Sequence, residues 1–369
     1  MQKTTETTLE INLSALEHNY NYIRSKVKPS TKILAVVKAF GYGSDAVEVA
    51  KELVDLGAEY FAVAYSGEGE QLRDKGIEIP ILVLHPLPTN FKVIIHRCLE
   101  PSIYSIKMLR EFVAFAETEQ QQNYPIHLKF NTGLNRLGFI ASEIPEILEI
   151  LQNSESIKVR SIFSHLAASE DQAEREFTLK QLKSFSEISE ELLKSLNYKP
   201  LLHTLNTSGI LNFPESQYDM VRCGIGLYGY GNSVSENKHL QPVVTLKTVI
   251  SQIHYLAPGD TLGYNRAFTV KEPTKTATLP IGHADGISRA YGNGVGWVTI
   301  NGQKAPIQGN VCMDMIMVAI TNIDCNEGDE VVVFGNTTTA ENLSNAINSI
   351  PYELLTAISQ RIKRVVYRK

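Results

Sequence analysis

The sequence predicts a (β/α)8 TIM-type barrel followed by a C-terminal mostly-β domain. From residue 33 to about 228, short apolar runs alternate eight times with longer amphipathic stretches. Strands alternating with helices argue for a parallel sheet, and eight units in about 200 residues match a closed barrel. After residue 240 the texture changes to Val/Ile/Thr-rich runs separated by Gly, Pro and Asp turns, which reads as a β domain. The polar, glycine-containing stretch GYGNSVSENKHL (229–240) marks the boundary, giving units 1–236 and 237–369. The strand-like opening TTLEINL makes residues 1–10 candidates for pairing with the second unit.

The strand candidates are ILAVVK (33–38), YFAVA (60–64), ILVLH (81–85), LEPSIY (99–104), IHLKF (126–130), RSIFSHL (160–166), LLHTLN (201–206) and MVRCGIGLY (220–228). Their continuous apolar character suits strands covered on both faces. Between them, SDAVEVAKELVDLG opens on a Ser-Asp cap and closes on glycine, as a helix does. A second stretch, 170–196, places Leu182, Phe185, Ile188, Leu192 and Leu196 at helical spacing. A doubly wound open sheet is the alternative. It would show a Gly-rich nucleotide turn after the first strand, and KAFGYGS is not G-x-G-x-x-G.

With 43% hydrophobic residues the chain can bury a sizeable core, and a net charge of -5 argues against nucleic acid or an anionic membrane as partner. The opening MQKTTETTLEINLS is polar, unlike a signal peptide, and no run reaches the length of a membrane span, so a cytoplasmic location is expected. Cys98, Cys223, Cys312 and Cys325 are widely spaced and read as reduced thiols rather than disulfides or a zinc site.

Active sites of such barrels sit at the C-terminal ends of the strands. Lys38 ends the first run, Lys129 lies in the fifth with Arg136 just after it, and His165 ends the sixth. Asn206-Thr207-Ser208-Gly209 ends the seventh, and Arg222 with Cys223-Gly224-Ile225 lies in the eighth. A lysine among apolar neighbours loses preference for its charged form, so its amine becomes nucleophilic near neutral pH. That suits a Schiff base, and small residues at the seventh and eighth strand ends suit a phosphate, together pointing to pyridoxal 5'-phosphate. Taken singly, Lys38 reads as a lysine snorkelling to solvent, His165 as a core histidine and Arg136 as a surface residue. Their joint placement at strand ends supports a lysine-dependent barrel enzyme.

At these residues the sequence resembles the alanine racemase family. AVVKAFGYG, HLKFNTGLNRLGF, FSHLA, LHTLNTSG, VRCGIGLYG, LGYNRAF, IGHADG, GNVCMDM and IPYELLTAISQRIKRVVY follow in the family's order and spacing. KAFGYGS is also similar to the racemase half of ligase–racemase fusions. The resemblance implies a barrel plus β domain, a homodimer with shared active sites, and interconversion of L- and D-alanine for peptidoglycan. On it, Lys38 holds pyridoxal 5'-phosphate and serves as base on the D face, while Tyr264 serves the L face from the other subunit. His165 and Arg222 would be cationic neighbours that make the Tyr264 phenol a usable base. Arg222 would face the pyridine nitrogen. Tyr42, Thr207, Gly224, Ile225 and Tyr352 would hold the phosphate, and Arg136 with the N–H of Met313 the substrate carboxylate.

The chain departs from the family pattern at several positions. Asn131 and Asn135 stand where Asp and Gly are common, bearing on whether Lys129 is carbamylated to brace Arg136. Thr207 replaces a serine, and His283 stands at the substrate entrance where tyrosine is common. Two other readings are open: a pyridoxal-dependent decarboxylase or broad-specificity racemase on the same barrel, and a non-enzymatic cofactor carrier. The CMDM loop argues against the decarboxylase, and residues 240–369 argue against the carrier.

Overall fold

The computed structural model describes residues 4–231 and 233–369. Strand β1 (Thr8–Asn12) precedes eight parallel strands: β2 (Lys32–Val36), β3 (Tyr60–Val63), β4 (Ile81–Val83), β5 (Glu100–Ile103), β6 (Tyr124–Lys129), β7 (Ile157–Phe163), β8 (Leu201–His203) and β9 (Met220–Cys223). Their order, β8-β7-β6-β5-β4-β3-β2-β9, is sequential except that β9 pairs with β2, the sign of a sheet curling on itself. The β8–β9 seam has no ladder. It is bridged by the Asp219 N–H to the Leu202 carbonyl (3.1 Å) and the Arg222 N–H to the Leu205 carbonyl (2.9 Å). The barrel expected from the alternating pattern is therefore present, with six of the eight strands shorter than their apolar runs, while β6 and β7 begin before theirs, at Tyr124 and Ile157.

The crossover helices bury one stripe each. Asp45 caps helix Ala46–Asp55 by accepting from the Val47 and Glu48 N–H groups. Helix Arg175–Ser195 buries Leu182, Phe185, Ile188 and Leu192, whereas Leu196 lies just past its end. The hydrogen-bonding capacity of an isolated helix end explains that shortfall: the extended Leu196 caps the last turn by donating to Leu192.

Lys38 does not end a strand. The ladder stops at Val36, and residues 38–42 form one tight left-handed turn, with φ of 52° at Ala39, 55° at Phe40, 64° at Gly41 and 52° at Tyr42. Left-handed backbone costs a non-glycine residue roughly 1–2 kcal/mol, so tertiary contacts must impose it. The Ala39 N–H is held by Glu68 Oε1 at 2.6 Å, and that carboxylate's other oxygen takes the Ala64 N–H. At Gly43 (φ 81°) an added Cβ would lie 1.9 Å from the Leu355 carbonyl oxygen, so only glycine permits this approach of the second domain. Arg364 closes the contact by donating to the Gly43 and Ser44 carbonyls.

The second unit is a twisted sheet ordered β11-β14-β17-β16-β15-β18-β10-β1-β19. It comprises β10 (Val244–Val249), β11 (Gln252–Leu256), β14 (Thr274–Leu279), β15 (Trp297–Ile300), β16 (Gln303–Gln308), β17 (Ile316–Ala319), β18 (Glu330–Phe334) and β19 (Lys363–Tyr367) around β1, with β12 (Thr261–Leu262) and β13 (Phe268–Thr269) as a separate hairpin. The opening strand β1 lies antiparallel to β10 and parallel to β19. Helix Pro351–Ala357 of this unit packs over the mouth of the barrel. Among the described residues, no helix is long and apolar enough to cross a membrane.

Candidate active site

A cavity of about 660 Å³ opens at the C-terminal end of the barrel, where β-strand ends hand over to loops. Lys38, Tyr42, Arg136, His165, Thr207, Arg222, Gly224, Ile225 and Tyr352 line it, bringing together nine of the residues singled out from sequence. Lys129 also lines it, and no Asp or Glu does. Four basic side chains thus face one space without a carboxylate, an arrangement suited to anionic ligands.

The cations suppress one another. Burial, then the charge of Arg136, lowers the Lys38 pKa, while Glu68 opposes the shift. Burial together with Arg136, Arg222 and Lys38 brings Lys129 down to about 8. Two amines therefore have a raised share of the neutral, nucleophilic form.

Arg222 is fully enclosed and burial lowers it to about 9, which leaves it protonated at neutral pH. Its Nη1 donates to His203 Nδ1 (2.6 Å) and to the His203 carbonyl (3.2 Å). Its Nη2 donates to the carbonyls of Ser164 (2.5 Å) and Thr204 (2.9 Å) and reaches His165 Nδ1 (3.2 Å). These acceptors occupy the Nη hydrogens, so Nε–H is the donor left for a ligand. His165 was expected as a cation, and the structure corrects this. Burial, then the Arg222 charge, pushes its pKa well below the usual histidine value, and its ring is neutral.

Just past the ends of β8 and β9, Thr207 Oγ1 accepts from the Gly224 and Gly226 N–H groups at 3.3 Å each. Ile225 opens a short 3-10 turn, whose first N–H groups have no partner within the turn. Tyr42 stacks on Tyr228 with ring centroids 4.5 Å apart, and Tyr352 lies 6.0 Å from it. Gly224 makes room for this stack: an added Cβ would stand 2.4 Å from the Tyr42 oxygen.

Tyr264 and Met313 lie elsewhere. Both line a separate cleft of about 540 Å³ with His254, Cys312 and Met315 on the second unit. They are 75% and 59% exposed, so within one chain neither reaches the Lys38 cavity. His283 is exposed and faces a third pocket beside Tyr291 and Glu353. Asn131 and Asn135 bond to each other at 2.8 Å, with Asn135 at φ 55°, a conformation asparagine tolerates better than most residues. The sequence reading missed Ala64-Tyr65 and Leu84-His85, which also line the cavity. Both pairs directly follow β3 and β4, so the strand-end rule applied to those strands would have found them.

The donor set fits pyridoxal 5'-phosphate: a desolvated amine, a buried guanidinium presenting Nε–H, and a hydroxyl with turn N–H groups for a phosphate. The chain matches the family model "Alanine racemase, N-terminal domain" over residues 11–232 and "Alanine racemase, C-terminal domain" over residues 243–366. It is 35% identical to an alanine racemase of Halothermothrix orenii, over 98% of this chain and 97% of that protein. The solved structure of an alanine racemase from Clostridium difficile 630 superposes with a TM-score of 0.93 at 34% identity, covering 100% of this chain and 97% of that one. An alanine racemase from Bartonella henselae with covalently bound pyridoxal phosphate has a TM-score of 0.88 at 29% identity, covering 99% and 100%. The paired family matches, spanning both the barrel that carries Lys38 and the domain that carries Tyr264, place this chain in the alanine racemase family.

Proposed function

We propose that the protein is a pyridoxal-phosphate-dependent alanine racemase that works as a homodimer in the cytoplasm and supplies D-alanine for peptidoglycan. The observation that carries this reading is the cavity in which an amine of lowered pKa meets three further cations and no carboxylate. Two anions are thereby accommodated, a phosphate and an amino-acid carboxylate. The bound pyridoxal ring supplies an electron sink for the pair left at the substrate α-carbon when its proton is removed.

The chain's own residues do the rest. Lys38 would hold the cofactor and, once displaced by substrate, its uncharged amine takes or returns the α-proton on the D face. Racemisation needs a second acid–base group on the opposite face, because a single base returns the proton to the side it came from. We assign that role to the partner subunit's Tyr264, since this chain's own Tyr264 lies in a different cleft. Units 1–236 and 237–369 divide the labour: the barrel carries most of the cofactor and substrate contacts, and the second unit adds Tyr352 to its own site and Tyr264 and Met313 to the neighbouring one. A free phenol titrates near 10, so it needs a nearby positive charge to act at neutral pH. With His165 neutral, Arg222 and the substrate-binding Arg136 are the fixed cations available. Met313 would offer its N–H to the carboxylate from the same cleft as Tyr264.

Arg222 explains why the reaction stops at racemisation. Its guanidinium would donate a hydrogen bond to the pyridine nitrogen without protonating it, and the cofactor would then supply a weaker electron sink than one paired with a carboxylate. Return of the proton to the α-carbon would thereby be favoured. Incubated with pyridoxal 5'-phosphate and pure L-alanine, the protein should give equal amounts of both enantiomers by chiral chromatography. Unchanged L-alanine, or release of carbon dioxide, contradicts the proposal.

A further inference from the structure

Eight-stranded parallel barrels are usually filled by bulky aliphatic side chains. This one carries a polar file instead. Glu100 on β5, His127 on β6, Ser161 on β7, His203 on β8 and Arg222 on β9 are all buried. Each meets the next: Glu100 Oε2 and His127 Nε2 at 2.7 Å, His127 Nδ1 and Ser161 Oγ at 2.6 Å, Ser161 Oγ and His203 Nε2 at 2.8 Å, and His203 Nδ1 and Arg222 Nη1 at 2.6 Å. At the far end Tyr60 donates to Glu100 Oε2 at 3.0 Å, and the exposed Arg160 donates to Tyr60 at 2.9 Å. Glu100 and Tyr60 open their strands, whereas Arg222 faces the cavity, so the file runs the depth of the barrel.

Chemistry sets the direction of every bond. A guanidinium cannot accept, so Arg222 donates and His203 Nδ1 carries no hydrogen. The neutral His203 ring then donates from Nε2 to Ser161. The Ser161 hydroxyl is released to donate to His127 Nδ1, and His127 gives its Nε2–H to the Glu100 carboxylate. All donors point from Arg222 towards Glu100, and each is matched. A doubly protonated His127 would strand the Ser161 hydrogen among these partners. Such a file, with a cation at one end and a carboxylate at the other, polarises along its length and stiffens cooperatively. Phe163 holds the upper end, stacked on His203 at 4.9 Å and under the Arg222 guanidinium at 5.3 Å.

We propose that Glu100, His127, Ser161 and His203 are positioning residues, a one-directional relay that locks His203 in its Nε2–H tautomer and thereby aims the Arg222 guanidinium at the ligand. The link to catalysis rests on the racemase reading, whereas the relay itself does not. Nitrogen-15 NMR of the full-length protein labelled at histidine tests it without turnover. In the wild type, His203 should be neutral with hydrogen on Nε2, and its Nε2–H should exchange slowly. Glu100→Gln should move the His127 Nε2–H signal and also that of His203, two bonds further along. A His203 ring that is charged or protonated on Nδ1, or one indifferent to Glu100→Gln, overturns the relay. Ser161→Ala should cut kcat between about 10- and 100-fold, as misplacing an active group does, with KM little changed. Ser161→Thr, which keeps the hydroxyl, should restore it. Loss in KM alone, or no rescue despite a native melting temperature, refutes the aiming role. NMR coupling in a protein that does not racemise would keep the relay and discard the racemase reading.

Discussion

Lys38→Ala removes the visible absorption of lysine-bound pyridoxal and lowers racemisation by on the order of 10⁴-fold, the upper range for a positioned acid–base group. The size follows from the double duty assigned to the residue. On the proposed mechanism its amine would attach the cofactor, and the same amine would be one of two bases. Burial and the nearby Arg136 charge lower its pKa and so raise the share of the neutral amine. The left-handed turn at 39–42 determines where it points, because Ala39 is tied to Glu68 and Gly43 is pressed against Leu355. Spectra of the variant and wild type, each with added cofactor, read the first effect, and chiral analysis reads the second. An unchanged spectrum in Lys38→Ala would show that another amine attaches the cofactor, and Lys129 is the obvious candidate.

Tyr264→Phe acts on one face only. The variant keeps the visible band, because the phenol plays no part in holding the cofactor, and loses roughly 10³-fold in racemisation. Solvent isotope exchange separates the faces. In deuterated water the variant should still exchange the α-proton of D-alanine through Lys38, while that of L-alanine stays in place. Equal loss on both enantiomers would mean that Tyr264 positions the substrate instead of moving its proton.

The fold was largely legible because buried parallel strands are written as unbroken apolar runs, and Ile33–Val36 or Ile81–Val83 can hardly be read otherwise. The strand ends were less so. Lys38 and His165 extend apolar runs in the sequence, but their backbones have already left the ladder. No local signal announces a left-handed turn at Ala39-Phe40, since the contacts that hold it come from elsewhere in the chain: Glu68 binds the Ala39 N–H, and Leu355 presses on Gly43 at its end. The charge state of His165 depends on enclosure and on Arg222, which spacing does not report. The relay was invisible for a related reason: Glu100, His127, Ser161 and His203 sit one to a strand, each an ordinary residue in its own segment. The partition of Tyr264 and Met313 from the Lys38 cavity is likewise a property of three-dimensional distance.

That partition supplies the decisive measurement. On the proposed homodimer, inactive Lys38→Ala and inactive Tyr264→Phe chains, mixed under conditions that exchange subunits, would form dimers of which half contain both variants. Each mixed dimer would hold one site with an intact Lys38 and an intact Tyr264, so about a quarter of the wild-type site count should return. D-alanine formation should recover towards that level, in proportion to the mixed dimer. A mixture that exchanges subunits and stays inactive would contradict it, and would place the whole site within one chain.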